Sequence, residues 1–134
     1  AVTDLVGGQV ELMFNSIPPV LPLVRAGKLK ALAVGSAQRS RSVPEIPTVA
    51  EAGVTGFDAA TWFGLFAPTG TPPAVIAKLN REVTAILAQP ELAQRLSAQG
   101  SEPRASTPAG LADYTRNEST RWRKVIASAG VKAD

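Results

Sequence analysis

Hydrophobic positions recur along the chain with two different spacings, which predict two structurally different halves. Alternating or continuous apolar stretches at residues 9–14, 30–35 and 57–66 are typical of strands, the last of them buried on both faces. A short apolar helix is predicted over 18–26. It lies in a connection of 15 residues between the first two strands, long enough for a parallel crossover. Residues 1–56 are therefore predicted to form a βαβ-type unit, and the fold class is α/β.

The second half is predicted to be helical, because its apolar residues recur three and four positions apart. Thr71 and the prolines after it fit the start of a helix that runs to about Ala88. A second helix is predicted over 90–99, and the last and longest over 107–129, opened by Thr-Pro. Three helices therefore follow the predicted strand over 57–66.

A polar, proline-punctuated loop over residues 36–47 precedes a capping motif. Thr48 and Glu51 have the spacing of a capping box, in which a hydroxyl and a carboxylate each accept from the other residue's backbone amide. The motif predicts a brief helix that ends at Gly53.

Composition removes most catalytic chemistry from consideration. The 134 residues contain no Cys and no His, which excludes thiol nucleophiles, thiolate or imidazole metal ligands, and Ser-His-Asp triads. The net charge of +3 is modest, and its cations are scattered. Arg39 and Arg41 form a small basic pair without an aromatic platform, so we predict no nucleic-acid partner and interpret such pairs as solvated faces.

Polar residues directly after a strand are the first candidates for ligand contacts. Asn15 and Ser16 follow the predicted strand 9–14, where ligands bind in open α/β sheets and where a helix N-terminus offers free amides. The alternative is that both residues merely cap the next helix. The second candidate segment is Thr61, Trp62, Phe63 and Gly64. Its aromatic rings are candidates for an apolar wall against a ligand, and Gly64 would let the ligand approach the backbone closely. The alternative interpretation is that the two rings belong to the hydrophobic core.

Glu118 is the one carboxylate on the predicted inward stripe of the last helix. It is a candidate general base, but Arg121 lies one turn further on, and an intrahelical ion pair explains the same position. No second carboxylate has a reason to converge on it. We therefore predict no catalytic residues, no metal, no cofactor and no enzyme activity.

Several blocks of sequence, in order, resemble one protein family. The blocks are LVGGQVELMF (5–14), AGKLKALAV (26–34), RS (39–40), VPEIPTVAEAG (43–53), WFGLFAP (62–68), GTPP (70–73) and AGVK (129–132). Together they resemble the substrate receptors of tripartite tricarboxylate transporters, the Bug or TctC-type periplasmic binding proteins. The similarity covers essentially the whole chain.

The resemblance implies a fold and a function. Family members have a two-lobed type II periplasmic-binding fold, hold a small organic acid in the cleft, and deliver it to a membrane permease without chemistry. The implied ligand is a dicarboxylate, tricarboxylate or related acid, and the implied location is the periplasm. Ala1–Asp4 has neither the basic start nor the apolar stretch of a signal peptide. The same fold also occurs in ligand-sensing regulatory modules, which is the alternative function.

The resemblance begins midway along the family pattern, so the chain is expected to be the C-terminal half of a receptor. By analogy, residues 1–56 belong to one lobe, 57–66 form the crossing strand or hinge region, and 67–134 belong to the other lobe. At the position of Asn15 many relatives carry Asp, which implies a different ligand preference. Half a receptor leaves strand edges open, so the piece is expected to dimerise, swap elements or hold its missing half.

Overall fold

The computed structural model describes residues 1–132, and helices are its regular elements. In chain order they are α1 (Val2–Val6), α2 (Ile17–Arg25), α3 (Pro73–Leu87), α4 (Pro90–Ala98) and α5 (Pro108–Ala129). Within the described residues no helix is long and apolar enough to cross a membrane. The predicted helices over 18–26, 71–88, 90–99 and 107–129 are thus confirmed, with ends that shift by up to two residues.

The chain divides into two compact units. The first contains residues 1–63 together with 88–103, and the second contains 64–87 together with the chain from Arg104 onward. Helix α4 therefore packs with the first unit although it follows α3 in sequence. The expected assignment of 1–56, 57–66 and 67–134 to the lobes of a receptor stays a prediction.

The core of the first unit is small. Leu21 of α2 packs with Val34 and Val43, and the half-buried Ile17 and Ile46 border this cluster. The apolar face of α2 is thus covered by the segments that follow it, which fixes the position of the helix and of the loop in front of it.

The prediction of regular strands at residues 9–14, 30–35 and 57–66 is wrong for the described residues. Pairing is limited to one parallel bridge between Val34 and Thr48, with a further bond from the Ala59 amide to the Gly35 carbonyl at 2.7 Å. A strand is stabilised by ladder bonds and cross-strand contacts with a neighbour. Where this chain supplies no neighbour, apolar alternation alone does not build a strand.

The capping box at Thr48 forms, but it is followed by turns. The predicted brief helix after it is therefore wrong. The Thr48 amide donates to Glu51 Oε2 at 2.8 Å, and the Glu51 amide donates to Thr48 Oγ1 at 3.0 Å. One helical bond follows, from the Ala52 amide to the Thr48 carbonyl. Gly53 then takes a positive φ of 119° and ends the helical path.

Helix α5 has the predicted signal at its start and a glycine at its end. Thr107 Oγ1 accepts from the Gly110 amide at 3.0 Å, and Gly130 adopts the left-handed conformation that closes a helix. Thr71 behaves differently from its prediction, because its hydroxyl donates to the Pro68 carbonyl at 2.8 Å and α3 begins later, at Pro73.

Helix α4 is fastened to the first unit at its C-terminal end. Ser42 Oγ donates to the Ser97 carbonyl at 2.8 Å, and Glu102 accepts from the Arg41 amide at 2.7 Å. Gly100 has a φ of 83° and lies so close to Ile17 that an added Cβ would overlap its side chain. The chain just after α4 therefore lies against the first residue of α2.

Candidate ligand-binding site

Asn15 and Ser16 form the loop that leads into α2, and their polar groups have only weak partners. Asn15 is exposed, and its side-chain amide donates to Met13 Sδ at 3.3 Å. Ser16 Oγ reaches Asn15 Oδ1 only at 3.5 Å. A thioether sulfur is a weak acceptor, and 3.5 Å is long for a bond between oxygens. Both side chains can therefore turn to a ligand at little cost.

Ser16 occupies the N-cap position of α2 in an extended conformation, yet its hydroxyl caps nothing. A capping oxygen accepts from the amides of the second or third helical residue. In α2 those residues are Pro18 and Pro19, which have no N–H. The capping alternative for the Ser16 hydroxyl is therefore wrong, and the two prolines in the sequence are the signal that could have shown it.

The second candidate segment contains exposed and half-buried groups side by side. Thr61 and Gly64 are exposed, Trp62 is half-buried, and 88% of Phe63 is exposed. The core alternative for Phe63 is therefore wrong in this structure, since the ring stands in solvent.

Five of the six candidate residues belong to the first compact unit, and Gly64 is the first residue of the second. Asn15 and Ser16 are neighbours in the chain, and their side-chain oxygens lie 3.5 Å apart. Whether they share one ligand with Thr61, Trp62 and Phe63 stays a prediction.

The sequence reasoning missed a depression of about 460 Å³ on the first unit. It lies between one face of α2 and the end of α4, and its lining is mostly apolar. The lining residues are Pro18, Pro19, Leu21, Pro22, Arg25, Ala98 and Gln99. None of them is a predicted site residue. The three prolines clustered on α2 were the available signal, because a proline ring in a short helix offers rigid apolar surface.

An ion pair joins two parts of the 36–53 region. Arg39 Nε donates to Glu51 Oε2 at 2.8 Å and to Oε1 at 3.1 Å. The amide of Thr48 and the guanidinium of Arg39 hold the pKa of the Glu51 carboxyl below its usual value. Arg39 and Glu51 are both exposed, so this is a surface ion pair. The interpretation of Arg39 as part of a solvated face is compatible with it.

Glu118 is buried on α5 and accepts two hydrogen bonds from its own helix. Arg121 Nη2 donates at 2.8 Å and Trp122 Nε1 at 3.2 Å, both to Oε2. The predicted intrahelical ion pair is confirmed, and the sequence reasoning missed only the indole donor one turn away.

The family model described as "Tripartite tricarboxylate transporter family receptor" matches residues 1–131 of this chain. Protein BugT of Bordetella pertussis is 39% identical over 132 residues. That alignment covers 98% of this chain and 40% of BugT. The chain thus spans about 40% of the length of such curated relatives.

Several solved structures are similar to this chain in fold and in sequence. Rpa4515 of R. palustris, solved with adipate, is 37% identical with a TM-score of 0.88, over 96% of this chain and 43% of that one. The periplasmic binding protein BugD is 33% identical with a TM-score of 0.84, over 99% and 45%. MatC from Rhodopseudomonas palustris, with bound malate, is 38% identical with a TM-score of 0.80, over 93% and 44%.

These likenesses confirm that the chain has a portion of the periplasmic-binding-protein fold. With the family model matched along nearly the whole sequence, this chain belongs to the receptor family of the tripartite tricarboxylate transporters, a family of periplasmic solute-binding proteins.

Proposed function

We propose that this chain supplies part of an extracytoplasmic receptor that binds a small organic carboxylate. The observation that carries the proposal is that two solved relatives, at 37% and 38% identity, hold adipate and malate. Both ligands carry two carboxylates on a short carbon chain. A dicarboxylate of this size is therefore the ligand class we propose, and the role is binding without chemistry.

The Asn15–Ser16 loop has the chemistry to bind one carboxylate. It offers an amide N–H₂, a hydroxyl, and the Ile17 backbone N–H at the positive end of the α2 dipole. Hydrogen bonds to a charged group contribute roughly 1.5–3 kcal/mol each. Because the present partners of Asn15 and Ser16 are weak, little is lost when these groups turn to the ligand.

The Thr61–Gly64 segment suits the rest of such a ligand. The rings of Trp62 and Phe63 offer apolar surface to a carbon chain, and Phe63 has most of its surface free to be covered. Thr61 adds a hydroxyl, and Gly64 has no side chain to obstruct close approach. These roles are proposed from exposure and residue type.

We also propose a periplasmic location and delivery of the bound acid to a membrane permease of the tripartite tricarboxylate type. Support comes from the family match over residues 1–131. Uptake of labelled adipate by membrane vesicles containing the permease should rise when the receptor is added. Unchanged uptake by a receptor that binds adipate would contradict delivery and favour a sensing role.

Calorimetry with adipate and malate tests the binding proposal. Adipamide is the matched control, because it has the same carbon chain but no charge. The titration is run on this chain alone and on this chain mixed with the BugT segment that it does not match. We expect heat with the two acids and none with adipamide. The absence of acid binding in both preparations would overturn the proposal.

A further inference from the structure

We propose that the depression between α2 and the end of α4 is a second binding site, for a small monocarboxylate with an aromatic body. The depression has a volume of about 460 Å³, and sites for small ligands usually have volumes of roughly 300–1,000 Å³. None of the residues proposed to hold a dicarboxylate lines it. The proposal therefore goes beyond the receptor function and does not rest on it.

One face of α2 forms a rigid apolar wall of the depression. The lining positions 18, 21, 22 and 25 have the three-and-four spacing that places residues on one side of a helix. Three residues of this wall are prolines, namely Pro18, Pro19 and Pro22. Proline rings are fixed to the backbone, so they lose no side-chain freedom when a ligand covers them. A flat aromatic ring can therefore bury apolar surface here at little entropic cost.

The end of α4 closes the depression near the start of α2. Ala98 and Gln99 line the depression, and the next residue, Gly100, lies against Ile17, the first residue of α2. Arg25 is the last residue of α2. Along a helix axis it lies about 10 Å beyond the first lining proline. The cation and the α4 wall are thus at opposite ends of the depression.

Arg25 gives the depression its preference for an anion. It is the charged member of the lining, and no carboxylate within residues 1–132 forms an ion pair with it. A place in the last turn of α2 also suits the negative end of the helix dipole. That place leaves the exposed guanidinium free to donate to a carboxylate in charge-assisted hydrogen bonds.

The lining favours a monocarboxylate over the dicarboxylates proposed for the receptor site. Gln99 is the second polar side chain of the depression, and it is neutral. A second carboxylate on the ligand would lie against proline rings without a cation, which costs its free energy of hydration. An uncharged aromatic end meets no such cost, so one carboxylate at Arg25 and a ring over the prolines is the arrangement we infer.

Titration of this chain with 4-phenylbutanoate tests the proposal. Protein-observed NMR should show that the probe shifts the amide signals of Arg25 and Ala98 and the methyl signals of Leu21. The matched control is 4-phenylbutanamide, which has the same ring and carbon chain but no charge. It should bind at least about tenfold more weakly, because it forms no charge-assisted bond. Excess adipate should not displace the probe.

Two pairs of variants locate the contact. Arg25→Gln should weaken probe binding by about tenfold or more. Arg41→Gln is its control, because Arg41 is an exposed arginine of the same unit that does not line the depression. Ala98→Leu fills part of the depression and should also weaken binding by about tenfold or more. Gln94→Leu places the same side chain at an exposed position of α4 outside the lining.

Four results would overturn the proposal. They are no binding of 4-phenylbutanoate to the parent chain, equal losses for Arg25→Gln and Arg41→Gln, unchanged binding by Ala98→Leu, and displacement of the probe by adipate. Circular dichroism checks that the variants fold like the parent, since all four replaced side chains are exposed. A failure of adipate to bind anywhere would contradict the proposed receptor function and would leave these readouts unchanged.

Discussion

At the scale of single residues, the most informative group is the hydroxyl of Ser16. It stands at a helix N-terminus, where serine normally caps, but the two residues it would bond to are prolines. Within residues 1–132, the side chain of the exposed Asn15 is bonded to a sulfur and, weakly, to that hydroxyl. Polar groups that the fold does not use are the ones available for binding.

Replacing Asn15 should affect ligand affinity and leave stability unchanged. Asn15→Ala removes one donor to a carboxylate and should weaken adipate binding by about tenfold. Asn15→Asp should weaken it further, since like charges repel. Calorimetry measures both affinities. Asn117→Ala, an exposed asparagine on α5, is the control. Equal losses for Asn117→Ala and Asn15→Ala would contradict the assignment.

The rings of Trp62 and Phe63 are distinguished by their burial. Phe63→Ala should lower adipate affinity without lowering the melting temperature, because the ring has few contacts to lose. Trp62→Ala should lower both, since that ring is half-buried. Phe66→Ala, another exposed ring, is the control. If Trp62→Ala lowers only the melting temperature, that ring belongs to the core.

Glu51 should make stability depend on pH. Its folded-state pKa lies below the ordinary value of 4.5, so the ionised form is favoured in the folded protein. The resulting stabilisation is complete above the unfolded pKa and is lost as pH falls through the folded pKa. The difference in melting temperature between the parent chain and Glu51→Gln should therefore be larger at pH 7 than at pH 3. A difference that grows towards acid would contradict this sign.

At the scale of elements, helices were predictable and strands were not. The boundaries of α5 are set by Thr107, Gly130 and an apolar stripe, all of which lie within the helix or next to it. A strand at 9–14 or 30–33 depends on neighbours far away in sequence. The alternation of Val10, Leu12 and Phe14 indicates that this segment can form a strand. It does not indicate whether a neighbouring strand is available to pair with it. The segment after Thr48 differs again, since its capping box forms but only turns follow before Gly53.

Loss of the α5 cap should have a measurable cost. Thr107→Ala leaves the Gly110 amide without its acceptor and should reduce the free energy of unfolding by about 1 kcal/mol. Thr120→Ala is the matched control, because Thr120 lies in the middle of α5 and its hydroxyl only donates back to the Arg116 carbonyl. Denaturant unfolding compares the two, and equal costs would contradict a capping role.

At the scale of the whole molecule, the sequence blocks were enough to predict the family and the portion of fold that the comparisons confirm. The grouping of the helices was not predictable, because α4 joins the first unit through bonds from Ser42 and Arg41 that no periodicity reveals. The candidate site was predictable only as positions. The exposure of Phe63 required the structure, whereas Pro18 and Pro19 in the sequence already indicate that the Ser16 hydroxyl has no helix amide to cap.

The close approach of Gly100 to Ile17 means that the Asn15–Ser16 loop, the proposed ligand contact, has a remote determinant. Gly100→Ala must leave a φ of 83° or push against Ile17, so the start of α2 and the adjoining Asn15–Ser16 loop would shift. A mutational survey restricted to residues near the acid would overlook this position. It would instead emerge as a distant substitution that weakens adipate binding, and trimming Ile17 to Ala in the same chain should restore part of that binding.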